Sequence, residues 1–328
     1  MTNYTGIKGY KVRSLASDPS PVSVGQVWYD NATEDLKYTA QTTAWSSGGA
    51  TNTPRSAGAG FGALAAAQGF GGATTNPTTY TGNTEQYDGT SWTEVNNMLT
   101  PRQLGGASGT QTAGIAIAGY NGSHLGNCES WDGTSWTEVN NLLIARASPA
   151  AVGTVATAAL AVGGPYGLTP DSRTEQWDGT CWSEVADLAV GRNCAKQACG
   201  TTSAGLVFAG DNYPASPRDT KHCEEWNGSA WTTSNDTINA RRDGGGVGIQ
   251  TAAVGFGGNS DTANPVPNSE EYDGTSWANT ANSPANPHLN IFVNSGGVST
   301  AALQCTGALT NVVEEYALGP ATKTVTVS

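Results

Sequence analysis

Two charged columns in this sequence are made of residue types that do acid–base chemistry. Glutamate recurs at Glu85, Glu129, Glu175, Glu224, Glu270 and Glu314, and arginine at Arg55, Arg102, Arg146, Arg192 and Arg241. A general acid or base is normally unique in its site, whereas these residues return once per repeat. The expectation is therefore structural, with Glu and Arg forming ion pairs or charge-assisted hydrogen bonds that tie loop ends together. The three histidines (His124, His222 and His288) fall in different repeats and offer no ligand cluster. The six cysteines (128, 181, 194, 199, 223 and 305) contain no C-x-x-C pair and read as small buried residues. Cys194 and Cys199, five apart, point to opposite faces if they share a strand. No strained nucleophile turn accompanies a Ser–His–Asp set. The reading is of a chain with no catalytic residue, no metal and no cofactor.

The elements that carry these columns follow from the repeat. Glu85-Gln-Tyr-Asp-Gly-Thr-Ser-Trp92 returns as Glu129-Ser-Trp-Asp-Gly-Thr-Ser-Trp136 and Glu175-Gln-Trp-Asp-Gly-Thr-Cys-Trp182. It returns again as Glu224-Glu-Trp-Asn-Gly-Ser-Ala-Trp231 and Glu270-Glu-Tyr-Asp-Gly-Thr-Ser-Trp277, the Trp being 44, 46, 49 and 46 residues apart. Ten residues after Trp45, Trp92, Trp136, Trp182 and Trp231 stands an Arg; after Trp277 the position is Pro287. Between each Arg and the next Glu runs a small-residue apolar stretch ending in Gly.

Each unit thus reads as four strands. Strand a follows the Arg, strand b is the apolar run, strand c carries Glu and Tyr or Trp, and strand d carries the second Trp. The c–d link, Asp-Gly-Thr-Ser, is a hairpin turn in which Gly supplies positive φ. Ala and Gly suit strands that converge near an axis, while Trp and Tyr fill the wider spaces further out.

The Arg, the Gly-Gly that ends strand b, and the Tyr followed by Trp resemble the kelch repeat over residues 45–316. That resemblance implies an all-β propeller of four-stranded blades and says little about chemistry, and the six Glu-bearing strands make the expected count six blades. The copper enzymes of the galactose-oxidase type share the fold, but their His and Tyr ligand set has no counterpart here. The Asp box of sialidases is also excluded, since Asp88 precedes Trp92 by four residues and that motif needs five. Five blades are complete from Arg55 to about residue 282, and the sixth, from His288 to Tyr316, lacks a Trp strand. Either a strand near Trp45 or the alternating tail Thr322-Lys-Thr-Val-Thr-Val-Ser328 completes it, with Trp45 favoured by its spacing to Arg55. The expected division is an arm and hairpin over 1–40 and a propeller over 41–328.

Composition narrows the partners. With 15 Lys+Arg against 27 Asp+Glu, a net charge of −12 and no basic stripe, nucleic acid is not an expected partner. No apolar run reaches the length of a membrane span, and residues 1–10 lack the apolar core of a signal peptide. Asn121-Gly-Ser123 and Asn227-Gly-Ser229 match a glycosylation acceptor only as often as chance allows in so Asn- and Ser-rich a chain.

The b–c connections (73–84, 120–127, 165–173, 211–222 and 259–269) differ in every unit, while the a–b and c–d turns are short and nearly identical. Variable loops on a rigid scaffold are where binding residues gather. Tyr80, Tyr120, His124, Tyr166, Tyr213, Arg218 and His222 are the candidates. Near the N-terminus, Gly25-Gln-Val-Trp-Tyr-Asp30 followed by Leu36-Lys-Tyr38 reads as a hairpin and resembles short modules at the starts of bacteriophage virion fibre and appendage proteins. That resemblance implies a non-enzymatic virion protein, made in the host cytoplasm and present in several copies. Its N-terminal region would hold other virion proteins while the propeller meets a host-surface glycan or protein. The alternatives are a cellular kelch adaptor for a protein partner and a kelch-fold enzyme.

Overall fold

The computed structural model describes residues 12–21, 23, 25–74, 79–166, 169–193, 196–214, 216–262, 266–282, 292–293, 299–305 and 311–325. Among them every regular element longer than a turn is a β-strand. The chain forms two compact units, Trp45–Ala317 and a smaller one made of Met1–Ala44 with Leu318–Ser328. His288, Pro287 and Cys194 lie outside the described residues.

The larger unit fits a β-propeller. It holds five complete four-stranded antiparallel sheets, met in chain order. Sheet one is Ala59–Ala63, Ala66–Phe70, Thr84–Tyr87 and Trp92–Val95. Sheet two is Gly106–Thr110, Ala113–Tyr120, His124–Trp131 and Trp136–Val139. Sheet three is Ala150–Val155, Ala158–Val162, Thr174–Trp177 and Trp182–Val185. Sheet four is Ala198–Thr201, Ala204–Asp211, Asp219–Trp226 and Trp231–Ser234. Sheet five is Gly245–Ile249, Ala252–Phe256, Ser269–Tyr272 and Trp277–Asn279.

A sixth sheet is assembled from both ends of the chain. Phe292–Val293, Ala301–Cys305 and Val313–Thr324 lie in order, and the strand beside Val313–Thr324 is Asp35–Ser47, which carries Trp45. The tail residues 322–324 continue Val313–Thr324 instead of forming a strand of their own. Trp45 Nε1 donates to Ser269 Oγ, at the start of strand c in sheet five, at 3.2 Å. Trp136 and Trp231 reach the same point of the preceding sheet, donating to Thr84 Oγ1 at 3.2 Å and Thr174 Oγ1 at 3.0 Å. Trp45 therefore occupies the strand-d position of the sixth sheet.

Packing explains the composition. The two aromatics of each motif face one another across the c–d ladder, as Tyr87 does Trp92 and Trp177 does Trp182. Their ring centroids are 5.0 and 5.4 Å apart, within the favourable range for aromatic pairs. Where one sheet puts a large side chain on strand b, its neighbour supplies glycine. Phe208 of sheet four fills the space over Gly246 and Gly255 of sheet five, where an added Cβ would stand 2.5 and 2.7 Å from its ring. The first strands of successive sheets lie side by side, and Phe292–Val293 lies beside the first strands of both sheet five and sheet one.

In the smaller unit Arg13–Leu15 pairs in parallel with Val27–Asp30, which forms an antiparallel hairpin with the start of Asp35–Ser47. Alternation along Val27–Asp30 puts Trp28 and Asp30 in buried positions and leaves Val27 and Tyr29 exposed. Lys37 closes the polar face, its Nζ 2.7 Å from Asp30 and 3.2 Å from Asp18.

Candidate binding face

The charged columns are buried inside the sheets. Arg55 pairs with Glu85 at 3.0 Å and Arg192 with Glu224 at 2.8 Å. Arg102 with Glu129, Arg146 with Glu175, and Arg241 with Glu270 make the same contact. All ten side chains are at most 3% exposed. The guanidinium also caps backbone carbonyls that flank strands b and c: Arg146 Nη1 donates to Gly163 O and Arg173 O, and Arg241 Nη1 to Gly257 O and Asn268 O. The carboxylate accepts N–H groups from the loop that delivers the chain from the preceding sheet. Leu99 and Thr100 donate to Glu129, Ile238 and Asn239 to Glu270, and Asn52 and Thr53 to Glu85. Burial pulls Arg55, Arg102 and Arg241 below the usual arginine value, and the facing carboxylates oppose that pull. Buried and bonded in this way, these groups tie loop ends to the sheets.

The end of the unit that carries the c–d turns is closed in the same manner. Asp132 Oδ1 accepts the N–H groups of Thr134 and Ser135 at 2.8 Å, and Asp88, Asp178 and Asp273 repeat the pattern. Asn227 takes the role in sheet four. Those N–H bonds hold the four Asp carboxyls below the ordinary carboxylate value. Asn96, Asn140 and Asn235 then reach from the end of strand d to the turn carbonyls of Thr134, Thr180 and Thr275 on the next sheet. Gln111 and Gln250 make similar bridges from their a–b turns to backbone of the preceding sheet. These Asn and Gln links escape a reading of single motifs, because their partners lie in the next copy.

The opposite end, with the b–c hairpins, is not uniform. Tyr80, Tyr120 and His124 come together: Tyr80 meets Tyr120 edge-on at 6.1 Å between centroids, and Tyr120 meets His124 at 5.8 Å. All three are partly exposed. Tyr213 is 51% exposed, with the Arg218 guanidinium carbon 5.3 Å from its ring centre. Arg218 grips Asp211 through Nε at 2.9 Å and through Nη2. Arg242 bridges Asp219 and Asp261 at 3.1 and 2.8 Å, and Asp261 in turn accepts the Arg218 N–H at 2.9 Å. Hydrogen bonding to Asp211 raises Arg218, and the Arg218 backbone bond lowers Asp261.

One expectation about this end is corrected. Tyr120, His124 and His222 lie on strands, not loops, because Ala113–Tyr120 with His124–Trp131 and Ala204–Asp211 with Asp219–Trp226 continue their ladders past the bulges at Leu125/Cys128 and Phe208/Gly210. His222 is a quarter exposed and stands 3.7 Å from both Glu224 and Asp236, beyond hydrogen-bond distance. Tyr166 is on the short strand Pro165–Tyr166 paired with Thr169–Pro170, and its side chain lies outside the described residues.

Three features of this end escape the sequence reading. Leu99, Leu143, Val190 and Ile238 are 61, 60, 41 and 40% exposed, each seven or eight residues after a strand-d Trp. The Asp–Arg network of sheets four and five is the second. The third is Lys196, which bridges in parallel to Gly245 at the start of sheet five; desolvation pushes its amine down to about 7. Of the cysteines, Cys128, Cys199, Cys223 and Cys305 are buried, whereas Cys181 is exposed in a c–d turn. Burial pushes the Cys128 thiol up to about 11 and those of Cys199 and Cys223 to about 12. Among the described residues no three of His, Cys, Asp and Glu stand together as a ligand set.

Compared with models of known protein families the chain matches none, and no curated protein matches it either.

Proposed function

We propose that this chain is a non-enzymatic display protein, a closed six-bladed kelch-type propeller that binds a partner through its b–c end. One observation carries the reading: polar groups at the turn end satisfy one another in a repeated pattern, while the b–c end differs from sheet to sheet and leaves Tyr80, Tyr120, His124 and Tyr213 partly open. Closure into a ring is supported by Phe292–Val293 lying beside the first strands of sheets five and one. It is also supported by hydroxyl bonds between neighbours: Tyr272 to Glu225, Tyr316 to Glu271, and Tyr87 of sheet one to Glu315 of the sixth.

The biological setting we propose is a virion, with the N-terminal region docking onto other virion proteins and several copies per particle. The partner is a host-surface glycan, because Tyr rings suit the apolar faces of sugars and the Asp–Arg network suits their hydroxyls. Copurification with phage particles, lost on deleting residues 1–24, is the expected result; absence from particles ends the virion reading. Glycan-array binding abolished by Tyr120→Ala and Tyr213→Ala is expected for the ligand. A second reading, a kelch adaptor for a protein segment, is favoured by the exposed aliphatics Leu99, Leu143 and Ile238. Loss of partner capture on Leu99→Ser with Leu143→Ser, and no glycan response, would select it.

A further inference from the structure

Two charged groups at the inner edge of the sheets take no part in the repeating frame. Sheets one, two, three and five are each entered through a residue of left-handed φ: Ala57, Leu104, Ser148 and Asp243, at 54, 56, 47 and 55°. The first three are joined from sheet to sheet, Leu104 N–H to Ala57 O at 2.8 Å and Ser148 N–H to Leu104 O at 2.7 Å. Asp243 is the charged member of this column. Lys196 leads into the first strand of sheet four and bridges in parallel to Gly245, two residues beyond Asp243. Among the described residues no hydrogen bond or ion pair reaches the Lys196 amine or the Asp243 carboxyl, although each lies within electrostatic reach of the other.

Lys37 is the contrast within the same chain. Asp30 and Asp18 hold its amine at 2.7 and 3.2 Å and raise it above the ordinary lysine value. Lys196 is half-buried, and desolvation pushes it down to about 7 against the opposing pull of Asp243 and Cys305. Asp243, also half-buried, is raised first by desolvation and then by Asp211, with Arg242, Arg218 and Lys196 opposing. An unpaired, desolvated amine keeps its lone pair at neutral pH and attacks carbonyl carbon. We propose that Lys196 captures a small aldehyde or ketone as an imine, with Asp243 as the acid that completes the step. Nζ bonds to the carbonyl carbon while its proton passes to the carbonyl oxygen. Asp243 then protonates the resulting hydroxyl, the C–O bond breaks and water leaves. The product is an iminium beside the Asp243 carboxylate, and nothing is oxidised or reduced. One ligand is held per chain without turnover, so the inference goes beyond the display reading and does not rest on it.

Glycolaldehyde with excess cyanoborohydride, applied to the purified full chain at neutral pH and mapped by peptide mass spectrometry, tests the capture. An ordinary lysine has only about one amine in 2,500 unprotonated at pH 7. Lys196 is therefore expected to alkylate at least about tenfold faster than Lys37. Acetylation by trace acetic anhydride should be half-maximal near pH 7 at Lys196 and above the ordinary 10.5 at Lys37. Asp243→Asn should slow the alkylation of Lys196 about tenfold or more while leaving its acetylation no slower, since acylation expels no water from a carbinol. A Lys196 that alkylates no faster than Lys37 overturns the capture. An Asp243→Asn chain that alkylates at the wild-type rate overturns the part given to the acid. If that variant does not fold, the wild-type comparison of Lys196 with Lys37 decides by itself.

Discussion

At the turn end, Asp88, Asp132, Asp178, Asn227 and Asp273 accept the same pair of N–H groups, and Asn96, Asn140 and Asn235 carry the bond to the next sheet. At the b–c end the buried Arg–Glu pairs repeat just as strictly, yet the residues above them do not. Tyr80, Tyr120 and His124 cluster over sheets one and two, and an Asp–Arg network covers sheets four and five. Both ends have a periodic frame, but only the b–c end adds aperiodic side chains outside it. Periodicity therefore marks what holds the unit together, and its breakdown is where partner recognition is proposed.

The comparison breaks first at the ion pairs. Arg146→Met leaves the Glu175 carboxylate buried without its counter-charge, and a loss of about 3–5 kcal/mol in chemical denaturation is expected. An unchanged midpoint would show that the Arg–Glu column is not the anchor of the b–c end. Adding Glu175→Gln to that variant should recover part of the loss, because the uncompensated charge then disappears.

Next in size is an alkaline effect. Burial first, and then bonding to Glu315 and Glu225, pushes the Tyr87 and Tyr272 hydroxyls up to about 12. A folded value above the unfolded one, about 10, means that the stabilisation is complete below pH 10 and is lost as pH rises through 12. The melting temperature should fall across that window, and Tyr87→Phe with Tyr272→Phe should flatten the fall.

A smaller effect is expected at the turns. Asp132→Ala removes the oxygen that accepts two N–H groups and should lower the melting temperature slightly, whereas Asp132→Asn should stay near wild type at neutral pH because Asn227 already serves in sheet four. The Asp carboxyl lies below its ordinary value of 3.8 in the folded chain, so its contribution is present above that pH and lost as pH falls through the folded value. Acid titration of the melting temperature should show a shallower drop for Asp132→Asn.

The smallest stability effect belongs to the b–c end. Tyr120→Ala and Tyr213→Ala should each change stability by about 0.5 kcal/mol or less while removing ligand binding. A large loss of stability in either would place that residue in the frame and erase the contrast between the ends.

Much of the frame is legible in the sequence because each contact repeats. The five-residue step from Tyr87 to Trp92 fixes a hairpin that pairs them, and Gly89 has the positive φ of 92° that the turn needs. The choice of strand-c aromatic is also coupled between copies. Tyr87, Tyr272 and Tyr316 each meet a Glu (315, 225 and 271), while sheets two, three and four, with Trp at that position, follow Gln86, Ser130 and Gln176. A single motif does not reveal that rule; it requires knowing which copy is the neighbour. The b–c end was less legible, since the ladders that run on to Tyr120 and from Asp219 come from sequences with no strand pattern of their own.

By itself the sequence determined the four-stranded unit, its turns and its two charged columns, because those follow from local spacing and from residue types with few alternatives. Tertiary structure alone decided that Trp45, not the tail, stands beside the last complete strand, since both segments have strand character and only packing against Ser269 and Phe256 separates them. It alone brought Tyr80 to Tyr120 and Arg242 to Asp219, pairs from different sheets whose meeting depends on how neighbouring sheets pack. Local spacing sets strands and turns; the contacts between sheets shape the end for which binding is proposed.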